Sequence, residues 1–246
     1  MIKLKNIKNI TAIVPAAGIG KRMQLSYPKQ YLTINGKTIL EYALAMLLEH
    51  PVINRIIIVL NSNDKWFKSL PLPRNMKNIT TIIGDNTRAG SVMAGLQAIN
   101  KDLAAEEEES TWILIHDAVR PCLHRTDLDR LLSIRTVNSI GGILVTPVRD
   151  TIKRSELNRS IISYTITRNN LWHALTPQLF PLILLRKCLQ QAFKNNRELT
   201  DDSSALEYCG YHPSLIIGRG DNIKITYQED IDLAKFYIQK QKSEKT

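Results

Sequence analysis

The sequence is poor in cysteine and in aromatic residues, and it has no long apolar run. Its three cysteines, Cys122, Cys188 and Cys209, lie far apart, and no C-x-x-C pair occurs. That excludes a disulfide framework and a zinc ribbon, and it suits a reducing cytoplasm. No apolar stretch reaches the roughly 18 residues of a membrane helix, so no membrane partner is expected. The opening "MIKLKNIKNI" is basic but has neither the apolar core nor the small-residue cleavage site of a secretion signal. It is also too poor in Arg and Ser for a transit peptide, and reads as a short ragged lead-in. Aromatics make up only 6% and the basic residues are scattered, which argues against a nucleic-acid-binding surface.

Several catalytic signatures are missing too. A dinucleotide fingerprint needs a glycine three residues after Gly20, where Met23 stands. A P-loop needs a Ser or Thr after Gly20-Lys21, where Arg22 stands, and a glycine five residues before Gly20, where Pro15 stands. No G-x-S-x-G elbow offers a covalent nucleophile. His50, His124, His173 and His212 show no metal-ligand spacing.

What is present is an ordinary globular composition of 246 residues, 43% hydrophobic and 23% charged. The 33 basic and 23 acidic residues give a net charge of +10, which favours anionic partners without separating nucleic acid from nucleotides or sugar phosphates. Apolar runs alternate with helical spacing. "TAIVPA", "RIIIVLNSND", "TTIIGD", "TWILIHD" and "GGILVTPV" read as strands. "TILEYALAMLLEH" reads as a helix with Thr38 and Glu41 in a capping box, "RAGSVMAGLQAIN" as a second, and "TDLDRLLSIRTV" as a third capped by Thr126. Strands apolar on both faces and alternating with helices predict an α/β fold with a mostly parallel sheet flanked by helices.

The stretch from Asp150 to Arg168 is polar and rich in β-branched residues, as expected of a projecting hairpin. "PLILLRKCLQQAF" and "DDSSALEYCGY" return to helical spacing, "SLIIGRGDNIKIT" reads as a last strand with a glycine-punctuated turn and "EDIDLAKFYIQKQ" as a closing helix. "AAEEEES" reads as a solvated loop and "KQKSEKT" as a frayed tail. The expectation is one domain over residues 1–246, with an arm at about 150–168.

In such sheets ligands sit beyond the carboxyl ends of the strands. Three chemically interesting places fall there: Ala16 to Lys29, Gly84 to Ser91, and His116 to Arg120. The first, "PAAGIGKRMQLSYPKQY", is a glycine loop followed by Lys21, Arg22 and Lys29. It fits either a phosphate cradle or a tight βα turn with solvated cations. Pro28 favours the former, because it stiffens the backbone beside Lys29. In "HDAVRP", Asp117 fits a single-carboxylate Mg²⁺ ligand or a turn residue, and His116 a buried, hydrogen-bonded histidine. Neighbouring strand residues face opposite ways, so His116 and Asp117 do not suit one ion. Arg120 could pair with Asp117 or brace the loop. Asp201 and Asp202 read as acids at a helix start, and Asp221 and Lys224 as charges on a glycine turn.

Taken in order, "PAAGIGKRM", "PKQYL", "HDAVRP", "PVRDTIKR", "TRNNLWHALTPQ", "DDSSALEYCGY" and "DNIKIT" resemble the 2-C-methyl-D-erythritol 4-phosphate cytidylyltransferases of the non-mevalonate isoprenoid pathway, over nearly the whole chain. The resemblance implies a Rossmann-like nucleotidyltransferase fold, Mg²⁺, and a cytoplasmic homodimer whose projecting arms help build the neighbour's site. It implies transfer of a cytidylyl group from CTP to methylerythritol phosphate, with release of pyrophosphate. Carried onto matching positions, Ala16, Ala17, Gly18 and Gly20 would line the CTP triphosphate and base, and Ser91 the cytosine region. Arg22 and Lys29 would stabilise charge at the reacting phosphates, and Asp117 would bind Mg²⁺. Thr151, Arg168, Thr176 and Lys224 would hold the methylerythritol phosphate, Arg168 and Lys224 as part of the catalytic set.

One departure stands out. The family usually has a Gly-Gly pair ahead of the "R-x-x-SV" segment, whereas here a single Gly84 precedes Asp85 and Asn86, and Gly90 replaces a larger polar residue. Three other readings stay open at this point: an enzyme of the same fold acting on ribitol 5-phosphate or a sugar 1-phosphate, a nucleic-acid-binding protein, and a nucleotide sensor that does not react.

Overall fold

The computed structural model describes residues 9–18, 27–72, 78–100 and 103–244. In chain order its strands and helices begin with β1 (Ile10–Ala16), β2 (Thr33–Ile34), β3 (Lys37–Thr38), α1 (Ile39–Glu49), β4 (Ile53–Leu60) and β5 (Asn78–Ile83). Then come α2 (Arg88–Asn100), α3 (Ala105–Ser110), β6 (Trp112–Ile115), α4 (Arg125–Ser133) and β7 (Gly142–Pro147). The arm is β8 (Ile152–Ser155) and β9 (Ile162–Ile166), and the chain continues through β10 (Trp172–Pro181), α5 (Leu182–Lys194), α6 (Ser203–Tyr208), β11 (Ser214–Ile217) and α7 (Glu229–Ser243).

Among the described residues, seven strands form one sheet in the order β11-β7-β10-β6-β1-β4-β5. All neighbours are parallel except β10, which runs antiparallel to both β6 and β7. The alternation of side chains along a strand explains the unbroken apolar runs. On β4, Ile56 and Ile58 pack with α1 and α4, while Ile57 and Val59 pack with α2 and α5 on the other face. A third, smaller cluster joins Val119, Cys122 and Ile225 to Ala234 and Ile238 of α7, which pins the segment carrying Lys224.

The capping box is present: Glu41 N–H donates to Thr38 Oγ1 (3.2 Å), and Thr38 N–H donates to Glu41 Oε2 (2.8 Å). The hairpin β8–β9 pairs antiparallel as a separate two-stranded sheet, and its residues are mostly exposed. Four local readings are corrected. The third helix is capped by His124, whose Nδ1 accepts from Thr126 N–H, so Thr126 already lies inside the helix. "AAEEEES" holds the short helix α3, anchored by Arg186 of α5 through a bidentate pair with Glu108 (2.8 and 3.1 Å). The last strand stops at Ile217, because the chain then turns beneath α7 instead of following β7. The closing helix runs on through Ser243, with Ala234 and Ile238 buried, where a frayed tail is expected.

Candidate functional site

Residues at the carboxyl ends of β1, β5 and β6 converge on one cavity. After β1, the carbonyls of Ala16 and Ala17 are pinned by Gln30 Nε2 (2.8 Å) and Asn61 Nδ2 (3.3 Å). Ala16, Ala17 and Gly18 line the cavity; Gly20 and Arg22 lie outside the described residues. Pro28, at φ −64°, caps the single turn Lys29–Tyr31. Lys29 also lines the cavity, and its Nζ donates to Ile225 O (2.7 Å).

The second wall is the loop between β5 and α2. Ser91 Oγ accepts from Asp85 N–H (3.1 Å) and donates to Asp85 O (3.2 Å), so Ser91 acts here by shaping the loop that lines the cavity. Gly84 is required by packing: a Cβ there would stand 2.7 Å from Ser91 Oγ and 2.7 Å from Val59 Cγ1.

The floor is Asp117, almost fully buried just past β6. Its Oδ1 accepts from Arg88 Nε (3.0 Å), while Oδ2 faces Lys224 Nζ (2.9 Å) and Arg120 Nε (3.5 Å). Burial alone would raise its pKa, but Arg88, Lys224 and Arg120 outweigh that and hold the carboxyl well below the usual carboxylate range. Arg120 does both things expected of it, since its Nη1 also donates to Asn222 O (2.8 Å). Asp117 N–H donates to Thr176 Oγ1 (3.0 Å), and Thr176 Oγ1 lies 3.1 Å from His116 Nδ1.

His116 Nε2 lies 3.1 Å from Arg120 O, an acceptor only, which makes Nε2 the protonated nitrogen and Nδ1 the acceptor for the Thr176 hydroxyl. Burial lowers the His116 pKa to about 4, so the ring is neutral, as the reading of a buried, bonded histidine expects.

A second cavity, of about 390 Å³, opens beyond this floor. Its walls include Arg120, Trp172, Thr176, Gln178, Asp201, Ser203 and Glu207. Arg88, Asp117 and Lys224 line both cavities, so the two meet at a seam of cations around one carboxylate. Asp201 sits at the start of α6 as expected, accepting from Ser204 N–H (3.0 Å). Asp221 is taken up by Arg219 (Nη2 to Oδ2, 2.6 Å).

The structure thus brings Ala16, Ala17, Gly18, Lys29, Ser91, Asp117, Thr176 and Lys224 to the two cavities. Thr151 and Arg168 line neither; they lie at the root of the hairpin, where Arg168 Nη1 donates to Arg149 O. Sequence reasoning passed over Arg88, Gln30 and Gln178. Arg88 carried a usable signal, since it is the first helical residue after the polar loop "GDNT" at a strand's carboxyl end. Among the described residues no group of three or more His, Cys, Asp or Glu side chains could hold a metal ion.

Comparison with known proteins identifies the family. The family described as 2-C-methyl-D-erythritol 4-phosphate cytidylyltransferase matches residues 10–240. The protein of that name from Yersinia pseudotuberculosis serotype I is 52% identical over 238 residues, covering 97% of this chain and 95% of its own. The one from Salmonella arizonae is 52% identical over 230 residues, covering 94% of each chain. Among solved structures, a 4-diphosphocytidyl-2C-methyl-D-erythritol synthase superposes with a TM-score of 0.79 at 34% identity, covering 94% of this chain and 99% of its own. The Francisella tularensis 2-C-methyl-D-erythritol 4-phosphate cytidylyltransferase gives 0.78 at 32%, covering 93% and 99%. The chain belongs to the 2-C-methyl-D-erythritol 4-phosphate cytidylyltransferase family.

Proposed function

We propose that this protein transfers the cytidylyl group of CTP to 2-C-methyl-D-erythritol 4-phosphate, giving 4-diphosphocytidyl-2-C-methyl-D-erythritol and pyrophosphate. The observation that carries the reading is the seam: two cavities sharing Arg88, Asp117 and Lys224 suit a reaction in which two phosphates must meet.

A phosphate oxygen of the acceptor attacks the α-phosphorus of CTP; the new P–O bond forms as the bond to the β-phosphate oxygen breaks, and pyrophosphate departs. The acceptor is a phosphate monoester, mostly dianionic near neutral pH, so no strong general base is needed. The requirement is alignment and cancellation of charge. Lys29 faces the nucleotide cavity, and Arg88 and Lys224 stand where the anions converge. Arg22 is assigned the same task by its place in the glycine loop. Thr176, hydrogen-bonded to both Asp117 and His116, presents an ordered wall to the acceptor.

Mg²⁺ belongs to the same proposal, with Asp117 as the carboxylate that would hold it. The ion takes one or two carboxylates and fills its remaining positions with phosphate oxygens and water. Asp117 lines both cavities, although both its oxygens face cations, so an ion there competes with Lys224 for Oδ2. When bound, Mg²⁺ would supply further neutralisation of the phosphate charge.

The active form in this reading is a cytoplasmic homodimer. Leu157, Ile161, Ile162 and Tyr164 on the hairpin are all more than half exposed, which supports its covering by a second copy. Thr151 and Arg168, which line neither cavity of their own chain, would then serve the partner's acceptor site. The three cysteines are free thiols, consistent with a reducing compartment, and no described helix is long and apolar enough to cross a membrane.

The test is pyrophosphate release with Mg²⁺ and methylerythritol phosphate, comparing CTP with UTP, ATP and GTP, with ribitol 5-phosphate as control acceptor. Release confined to CTP with methylerythritol phosphate is expected. Release with ribitol 5-phosphate alone would change the acceptor, and silence with every pair would remove the activity.

A further inference from the structure

Arg88 begins α2, next to the loop that walls the nucleotide cavity, yet its guanidinium also lines the acceptor cavity. Its Nε holds Asp117 Oδ1 at 3.0 Å, and its Nη1 stands 2.8 Å from Asp202 Oδ2. Asp202 is 1% exposed and is not among the residues lining either cavity. A buried carboxylate is costly unless paired, so this one needs a reason to be there.

The two carboxylates that grip Arg88 are set by one strand. Thr176 of β10 accepts from the Asp117 N–H (3.0 Å). Two residues on, Gln178 Oε1 accepts from the N–H groups of Asp202 (3.1 Å) and Ser203 (3.0 Å). Gln178 Nε2 also donates to Asp201 Oδ2 (2.8 Å), fixing the start of α6. Among the described residues, neither oxygen of Asp202 has a hydrogen bond of good geometry, and Arg88 Nη2 is buried without a partner. The Arg88–Asp202 contact is therefore an ion pair held by charge and by its frame, with a donor of the fork to spare.

We infer that Asp202 and Arg88 form one positioning unit, in which Asp202 fixes the Arg88 guanidinium at the wall common to both cavities and Arg88 in turn fixes the Asp117 carboxylate. Asp202 is a positioning residue that acts through Arg88 and touches neither substrate. The inference rests on the reading of the two cavities as nucleotide and acceptor sites. Arg88 reaches from the nucleotide-side helix to anchors set by the acceptor-side strand, so its displacement disturbs both sites together. A fixed fork at the seam also removes the need to reorganise charge when the two anions meet.

The experiment compares wild-type protein with Asp202→Asn, Asp202→Glu, Arg88→Lys and the Asp202→Asn/Arg88→Lys double variant. Both substrates are varied, thermal midpoints are recorded, and folded sites are counted by calorimetric titration with CTP. For Asp202→Asn, kcat per folded site is expected to fall at least 10-fold. Asp202→Glu should restore at least half of that loss on a logarithmic scale, at a similar thermal midpoint. Arg88→Lys keeps the charge but loses the fork, and should fall by a comparable factor. The double variant should be little worse than the worse single one, because parts of one unit do not lose independently. Wild-type kcat per folded site in Asp202→Asn, no recovery in Asp202→Glu, or multiplying losses in the double variant would each overturn the inference. Absence of turnover in the wild-type protein would instead overturn the functional reading beneath it.

Discussion

Gly90 supplies the space that the Asp85 side chain fills: a Cβ built on Gly90 would stand 2.7 Å from both Cγ and Oδ2 of Asp85. The Asp85 side chain and a side chain at position 90 therefore compete for one space. An exposed carboxylate in the nucleotide wall is tolerated because it folds back over the first turn of α2, where its Oδ1 accepts from Asn86 N–H and the helix N-terminus favours negative charge.

A substitution at Gly90 tests this competition. Gly→Ala inside a helix ordinarily stabilises by about 1 kcal/mol. Here the new methyl group must displace the Asp85 side chain, which lines the proposed nucleotide cavity. Gly90→Ala should leave the thermal midpoint unchanged or higher, yet raise the KM for CTP at least 3-fold. Removing the displaced side chain as well, in Gly90→Ala/Asp85→Gly, should bring the KM back toward wild type. Steady-state kinetics on the three proteins decides it; an unchanged CTP KM in Gly90→Ala would show that Asp85 does not face the nucleotide.

Lys29 carries the next prediction. It sits on a turn stiffened by Pro28 and reaches the cavity with its Nζ braced on Ile225 O (2.7 Å). Losing one such preorganised contact costs on the order of 3–4 kcal/mol, or about 10²–10³ in rate. Lys29→Ala should keep the fold, by far-UV circular dichroism, and lower kcat by that factor. Near-normal turnover would take Lys29 out of the mechanism, and the same measurement on Arg22→Ala judges the glycine loop.

The sheet was legible in the chain where burial on both faces leaves a plain signature. Ile56 to Val59 of β4 and Ile113 to Ile115 of β6 are all fully buried, and an apolar run is the only pattern such a strand can carry. The antiparallel β10 carries no such run: it mixes His173, Thr176, Pro177 and Gln178 into its apolar residues. Site residues at strand ends, such as Asp117, could be placed because topology alone brings those ends together. Arg88 and Gln178 could not be paired from the sequence. The partners of Arg88, Asp117 and Asp202, lie far along the chain and are set beside it by β10, the strand left unread.

The arm makes a prediction about assembly. Arg168 and Thr151 line neither cavity of their own chain, and the proposal gives them their task across a dimer. A chain carrying Arg168→Ala should be weak, and so should one carrying Lys29→Ala. Mixed dimers of the two keep one site with Lys29 from one chain and Arg168 from the other. Unfolding and refolding the pair together should restore up to about a quarter of wild-type activity, since half of randomly assorted dimers are mixed and each has one good site. Mixed dimers separated by two different affinity tags and found inactive would confine Arg168 to its own chain.

His116 sets an acid limit on stability that can be calculated and then removed. Its imidazole is fully buried and neutral, with a pKa lowered from 6.5 to about 4, mainly by burial. Below pH 6.5 the unfolded chain binds a proton that the folded protein refuses, so stability falls as pH falls, until the folded group titrates near pH 4. The size is about 2–3 kcal/mol between pH 7.5 and 4.5, at 1.36 kcal/mol per unit of pKa shift. Asp117 does not contribute in that window. Its folded carboxyl lies far below the usual range, so its stabilisation is intact above the unfolded value of about 3.9 and is lost only in stronger acid. His116→Gln can still accept from the Thr176 hydroxyl and donate to Arg120 O, while it has no proton to take up. Urea unfolding in EDTA at the two pH values should show the variant losing about 2–3 kcal/mol less than the wild-type protein on acidification. Parallel losses in both proteins would mean that folded His116 takes up its proton as readily as the unfolded chain does, with Nδ1–H then donating to Thr176 Oγ1 while Nε2–H still donates to Arg120 O.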